Sequence, residues 1–169
     1  NIKINVIGIS NSKKMLFNSK GINLKNWKNL LNKGTIANPQ DFLRRTKKIN
    51  LRNSIFVDNT ASHEISRFYS KYLKKSIAVV TCNKIACADD YDNYKNLKFL
   101  SKNYNAPFLF ETNVGASLPI IDTLNNLVAS GDKISSIQAV LSGSLNYIFN
   151  NFKSTDTFHE IVDDAKNLG

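Results

Sequence analysis

Glycine and proline are scarce in this 169-residue sequence, at seven and three residues. A collagen-like or linker-rich chain is thereby excluded, and few points force the backbone to turn. There are only two cysteines, Cys82 and Cys87, in a C-x4-C spacing with no histidine close by in sequence. That spacing matches no zinc pattern and rules out a disulfide scaffold, so both are read as buried or half-buried thiols in a reducing compartment. No apolar run approaches the roughly 18 residues of a membrane-spanning helix. The opening NIKINVIGIS lacks the regions of a signal peptide and reads as a strand from its first residues. No membrane contact is expected. Acidic residues are also few, 13 against 23 Lys and Arg, for a net charge of +10. Such a balance invites a nucleic-acid partner. The lysines are spread along the chain, however. Only Arg44-Arg45-Thr46-Lys47-Lys48 is a tight cluster, and a solvated helix face explains it. Asparagine, lysine and isoleucine are all abundant, as an AT-rich coding sequence makes them, so no nucleic-acid partner is expected.

Strands and helices alternate. Ile2 to Ile9 is β-branched and strand-like. Trp27, Leu30 and Leu31 fit the inner face of a short helix. Asn38-Pro39 has the form of an N-cap followed by a first-turn proline, with Asp41 placed for the helix dipole. Ile55-Phe56-Val57 is a second strand. Ser62 or Thr60 caps the next helix, which carries Ile65, Phe68, Tyr69, Tyr72 and Leu73. Ile77 to Thr81 is a third strand, Asp89 to Tyr104 a helix, and Phe108 to Phe110 a fourth strand. Alternation of this kind implies βαβ units and a parallel sheet buried on both faces. Ligands bind such sheets at the carboxyl ends of the strands. The exits there, Ser10 to Lys13, Asp58 to Thr60, Cys82 to Lys84 and Glu111 to Asn113, are all polar and suited to converge on one crevice. Beyond Glu111 the pattern changes: a helix over Leu118 to Val128 stopped by Gly131, a half-exposed strand over Ile134 to Leu141, a helix opening at Leu145, and a last helix Phe158 to Leu168 with Gly169 as its C′ residue.

One absence remains. A doubly wound nucleotide-binding sheet opens with a Gly-rich turn, and no G-x-G-x-x-G occurs here. If Ile2 to Ile9 is the second strand of such a fold, that turn is expected upstream of Asn1. The orphaned strand would then be an aggregation hazard.

Four stretches, VDNTAS (57–62), VVTCNKIA (79–86), ETNVGASLPIIDTL (111–124) and SGDKISSIQAVLSGSLNYIFN (130–150), together resemble homoserine dehydrogenase. NSKKMLFNSKGINLKNW (11–27) is similar to the version fused to an aspartate kinase. The resemblance implies an α/β fold: an incomplete Rossmann-like parallel sheet over 1–113, leading into the start of an α+β substrate and dimerisation domain over 114–169. It implies NAD(P)-dependent interconversion of L-homoserine, the small-molecule substrate, and L-aspartate 4-semialdehyde in threonine and methionine biosynthesis. It also implies a cytoplasmic location and a homo-oligomer for the complete enzyme. The substrate segment with the catalytic Asp and Lys is expected just after Gly169, so this chain alone is expected to be inactive.

The resemblance also distributes roles. Lys84 matches the lysine that contacts nicotinamide and assists catalysis; an exposed surface lysine is the alternative. Cys82 and Ile85 stand where the family has Pro and a second Lys. Asn59 and Thr60 match contacts to the nicotinamide end, and alone they equally fit helix caps. Ser10, Ser12 and Lys13 lie where an acidic residue would hold a ribose 2′-hydroxyl. Hydroxyls and a cation without a carboxylate suit a 2′-phosphate, favouring NADP(H) over NAD(H). Gly143 and Ser144 match contacts to homoserine, with a plain turn and cap as the alternative. Glu111, Val114, Ala116 and Leu118 match a turn whose backbone carbonyls bind a monovalent cation, usually sodium. Gly115 lets that turn bend, and the family has Gly in place of Ser117. A plain Gly turn before Pro119 is the alternative. His63 and His159 match no role. Two other readings stand beside the enzyme: a non-catalytic remnant of it, and a basic α/β binding module.

Overall fold

The computed structural model of the chain describes residues 2–153, 155 and 157–168. Two compact units divide it, residues Asn1–Phe110 and Glu111–Gly169.

The first unit holds two small sheets. β1 (Gly8–Ser10), β2 (Lys14–Phe17) and β3 (Thr35–Ile36) form an antiparallel sheet in that order. Its register sets Ile9 opposite Leu16 and Met15 opposite Thr35. This corrects the expectation of a parallel strand over Ile2 to Ile9. The strand is three residues long, and its neighbour is the next segment of chain. Asn11 explains the reversal: its side-chain oxygen accepts from Lys13 N at 2.8 Å and Lys14 N at 2.7 Å, folding the chain back as a tight turn. Ile2 and Ile4 lie outside any strand and are exposed. A short helix α1 (Trp27–Asn32) packs beside β2 and buries Leu31.

Helix α2 (Pro39–Ile49) starts as expected, with the Asn38 side chain accepting from Asp41 N at 2.9 Å. It ends at Asn50 in the left-handed conformation. Phe42 on this helix joins the two sheets, its ring 4.5 Å from that of Phe17 and 6.3 Å from that of Phe56.

The second sheet is parallel, with β4 (Ile55–Asp58), β5 (Ala78–Thr81) and β6 (Phe108–Leu109) in that order. Asp58 is level with Thr81 at the carboxyl edge. The helices beside it are α3 (His63–Ser66), α4 (Tyr69–Leu73), α5 (Ile85–Ala88) and α6 (Tyr91–Asn103). The single helix expected after Ser62 is thus broken in two. Ser66 Oγ donates to His63 O at 2.9 Å, a back-bond that competes with helix propagation. The core gathers Tyr69, Tyr72, Leu73, Val79, Leu97, Leu100 and Phe108 on one face of the sheet. On the other face Ile55, Val57 and Leu109 are 61%, 54% and 51% exposed. Burial on both faces, expected of parallel strands, therefore holds for one face within this unit. Cys87 is half-buried but Cys82 is exposed, contrary to expectation. Residues alternate inward and outward at the strand end: Thr81 and Asn83 point in, leaving Cys82 outside.

The second unit comprises α7 (Ile120–Ala129), α8 (Gly143–Asn151) and α9 (Phe158–Leu168). α8 and α9 pack together around Ile148 and Ile161. Gly131, at φ 92, lies just past α7, the stop expected. The strand expected over Ile134 to Leu141 is not formed. The segment is irregular, with Ile137 and Val140 exposed, because among the described residues no strand of this unit offers it a hydrogen-bonding edge. Gly169, expected as the C′ residue of α9, lies outside the described residues. Among the described residues no helix is long and apolar enough to cross a membrane, and no group of three or more His, Cys, Asp or Glu gathers as a metal site.

Candidate functional site

Two of the four polar strand exits meet at the carboxyl edge of the parallel sheet. The loop after β4 carries Asn59 and Thr60, and the loop after β5 carries Lys84. Beneath them is a buried polar cluster of Asp58, Tyr69, Thr81 and Asn83. One Asp58 oxygen, Oδ1, accepts Thr60 N at 2.8 Å. The other, Oδ2, accepts Tyr69 OH at 2.5 Å and Asn83 Nδ2 at 3.1 Å. Thr81 Oγ1 lies 2.8 Å from Tyr69 OH and accepts Asn83 N at 2.8 Å. Asn83 Nδ2 also donates to Ser62 O at 3.0 Å, and its Oδ1 accepts Ile85 N at 3.1 Å. Burying this many polar groups is tolerable because their hydrogen-bonding capacity is used. Above the cluster Asn59, Thr60 and Lys84 are exposed. Lys84 occupies the N-cap position of α5 without a side-chain capping bond, which leaves its amine to face solvent or a ligand. The cap of α3 falls to Ser62, one of the two candidates.

The polar exits contain Asp58 and Asn83, but the sequence does not show that the two are buried and meet. Asp58 and Asn83 are 25 residues apart, so nothing local reveals their bond. The available signal was a polar residue closing each apolar strand, in Val57-Asp58 and Val80-Thr81. Tyr69 had been counted as an apolar helix face.

Burial, and then the bond to the Asp58 carboxylate, push the Tyr69 phenol well above its usual pKa of 10.0. Burial does the same for Tyr72. A raised folded-state value means that the stability these phenols contribute is complete below pH 10 and is lost as pH climbs toward the folded-state value. In a spectrophotometric alkaline titration, Tyr69 and Tyr72 are expected to resist ionisation until the fold gives way. All six tyrosines titrating together near the ordinary value would contradict this.

The other expected residues lie elsewhere. Ser10, Ser12 and Lys13 form the β1–β2 turn and are exposed. The Ser10 hydroxyl donates to Asn11 O at 3.1 Å and Lys14 O at 3.2 Å, so it shapes the turn. Ser12 and the Lys13 ammonium extend from a turn with no carboxylate. In the second unit, Ser142 caps α8 by accepting from Leu145 N at 3.2 Å. Gly143 and Ser144 then open the helix, exposed, with nothing within 4 Å of a Cβ added at Gly143.

The ETNVGASLP turn has its own logic. Glu111 to Asn113 is a single 3-10 turn. The Glu111 carboxylate reaches forward and accepts Ile121 N at 2.9 Å and Asp122 N at 2.8 Å, so it caps α7 from ten residues upstream. Gly115 at φ 68 and Ala116 at φ 53 are both left-handed. Ser117 is not, so the serine in place of glycine is accommodated without strain. A Cβ on Gly115 would lie 2.2 Å from Ile120 Cδ1. Gly115→Ala is therefore expected to destabilise the second unit by about 1–2 kcal/mol through φ strain and crowding. Chemical denaturation read out in this unit checks it, and an unchanged midpoint would contradict it.

A helix-flanked parallel sheet with polar loops at its carboxyl edge defines a nucleotide-binding type of α/β protein. Residues 1–111 match the family model described as homoserine dehydrogenase, NAD binding domain, and residues 119–169 the model described as homoserine dehydrogenase. The chain belongs to the homoserine dehydrogenase family. It is 43% identical over 171 residues to a chloroplastic bifunctional aspartokinase/homoserine dehydrogenase 2 of Arabidopsis thaliana, covering 100% of this chain and 19% of that one. To the homoserine dehydrogenase of Schizosaccharomyces pombe it is 42% identical over 153 residues, covering 88% and 41%. A solved Candida auris protein of unknown function superposes with TM-score 0.83 at 34% identity, over 100% of this chain and 50% of the other. A hyperthermophilic archaeal homoserine dehydrogenase mutant in complex with NADPH does so with TM-score 0.76 at 29% identity, over 98% and 52%. The chain thus spans about half or less of each of these relatives.

Proposed function

We propose that this chain supplies the cofactor-facing loops and the catalytic lysine of an NAD(P)-dependent homoserine dehydrogenase, over a partial nucleotide-binding domain (1–113) and the first part of a substrate domain (114–169). The observation that carries the reading is the exposed Lys84, whose loop is tied to the Asn59–Thr60 loop by a buried polar cluster at the carboxyl edge of the sheet. A nicotinamide cofactor, when bound, supplies the carbon that accepts or returns the hydride. The Lys84 ammonium orients the substrate oxygen and steadies the negative charge that grows on it. Asn59 and Thr60 hold the nicotinamide end. Ser12 and Lys13, with Ser10 shaping their turn, suit a 2′-phosphate, so the cofactor is NADP(H) in preference to NAD(H). In the second unit, Gly143 and Ser144 bind homoserine with the exposed N–H groups that open α8.

A monovalent cation, sodium by preference, fits the donor chemistry of the ETNVGASLP turn. The Glu111 and Leu118 carbonyls each accept one backbone hydrogen bond, from Val114 N at 3.4 Å and Ile120 N at 2.9 Å. A carbonyl oxygen has two lone pairs, so each keeps one for a cation beside the Val114 and Ala116 carbonyls. The same proposal includes a cytoplasmic location and a homo-oligomeric complete enzyme.

Fluorescence titration of a protein that carries this chain with NADPH and NADH, with sodium present, tests the reading. NADPH is expected to bind more tightly than NADH, and Lys13→Glu is expected to erase the preference. Salt-sensitive binding to a duplex oligonucleotide with no affinity for NADPH would overturn it in favour of a basic binding module.

A further inference from the structure

Lys84 sits between two anchored neighbours, held by the side chains of Thr81 and Asn83. Asn83 is buried. Its own N–H is held by Thr81 Oγ1 at 2.8 Å, and its Oδ1 holds the N–H of Ile85 at 3.1 Å. The Cys82–Asn83 and Lys84–Ile85 peptide units, which flank this turn, are thus both held, while the Lys84 side chain is left exposed. The Asn83 amide nitrogen faces the other way and donates to Asp58 Oδ2 at 3.1 Å and Ser62 O at 3.0 Å. Asp58 in turn holds Thr60 N through Oδ1 at 2.8 Å. One carboxylate therefore grips the Asn59–Thr60 loop with one oxygen and the Lys84 loop with the other. Tyr69, rooted in the core on α4, donates to the second oxygen at 2.5 Å and fixes the carboxylate from below.

We propose that Asn83 is a positioning residue and that Asp58–Asn83 is a yoke between the two loops, setting the placement of the Lys84 amine relative to Asn59 and Thr60. This rests on the assignment of Lys84, Asn59 and Thr60 above. A simpler role, in which each residue merely satisfies its own loop, needs no bond between the loops. The Asn83 to Asp58 and Asn83 to Ser62 bonds are what that role leaves unexplained. The consequence is mechanical: loosening one loop loosens the other.

The test is amide hydrogen exchange by NMR on the whole 169-residue chain, wild type against Asn83→Ala. The Ile85 amide loses its acceptor directly and is expected to exchange at least about tenfold faster. The yoke predicts that the Thr60 amide, in the other loop and with its own acceptor intact, also speeds up several-fold. Val79 and Leu97 amides, in the core, stay as in wild type and certify the fold. Faster exchange at Ile85 alone would overturn the proposal. Should Asn83→Ala not fold, Tyr69→Phe removes only the hydroxyl below the carboxylate, and Thr60 and Ile85 are expected to loosen together; loosening of only one overturns the yoke.

The positioning role has a separate readout. NADPH affinity is expected to fall about tenfold in Asn83→Ala. Unchanged affinity in a variant with both loops loosened overturns positioning. Absence of NADPH binding by a wild-type protein that carries this chain would instead overturn the functional reading, leaving the exchange data to decide the yoke.

Discussion

Replacing Lys84 by methionine is expected to lower homoserine-dependent NADP⁺ reduction, in a protein that carries this chain, by about 10²–10³-fold. The argument is differential. The ammonium interacts more strongly with an oxygen gaining negative charge than with a neutral hydroxyl or carbonyl, so its removal acts on the barrier more than on substrate binding. The loss should therefore appear in kcat, with a smaller change in KM. Stability should not follow. Lys84 is exposed and makes no capping bond, and surface changes of this kind stay within about 0.5 kcal/mol. Methionine keeps the length of the stem and deletes the charge. Thermal unfolding and steady-state kinetics on the same preparation check both halves. A variant with unimpaired kcat would remove Lys84 from the chemistry.

Asp58→Ala is expected to show the opposite division, with stability lost first. Asp58 is 2% exposed and accepts from Thr60 N, Tyr69 OH and Asn83 Nδ2. Alanine leaves all three donors with no carboxylate to meet, at a cost of about 3–5 kcal/mol. That is a large part of the roughly 5–15 kcal/mol by which a domain is stable. Tyr69→Phe removes one hydroxyl, with its bond to Asp58 and its contact to Thr81 Oγ1, but leaves the carboxylate to the other two donors, so its cost should be about 1 kcal/mol. Denaturant titration of the two variants side by side checks the order. Equal effects would mean that the carboxylate is not the hub of the cluster.

The elements that local chemistry dictates were legible in the sequence. Asn38 and Pro39 announced α2, and the apolar runs closed by polar residues announced β4, β5 and β6. The exits that carry Lys84 and Asn59 were legible because a parallel sheet exposes its carboxyl ends, while the roles proposed for those two residues come from the resemblance. What depends on distant partners was not legible. The pairing of β1 with β2 rests on the Asn11 turn, which reads in sequence as one more polar loop exit. The alternation of Ile134 to Leu141 has the period of a strand, yet a strand exists only with a neighbour to bond. Glu111 was read as a backbone ligand, whereas its side chain also caps a helix ten residues on. Asp58 and Asn83 meet only once two βα units have folded beside each other.

The most direct test of the central claim places this chain in the Schizosaccharomyces pombe homoserine dehydrogenase, replacing the segment it matches there, and follows homoserine-dependent reduction of NADP⁺. The chimera is expected to be active, and to lose activity when Lys84 becomes methionine. A folded chimera that binds NADPH but turns over no homoserine, or one that is indifferent to Lys84, would contradict the account.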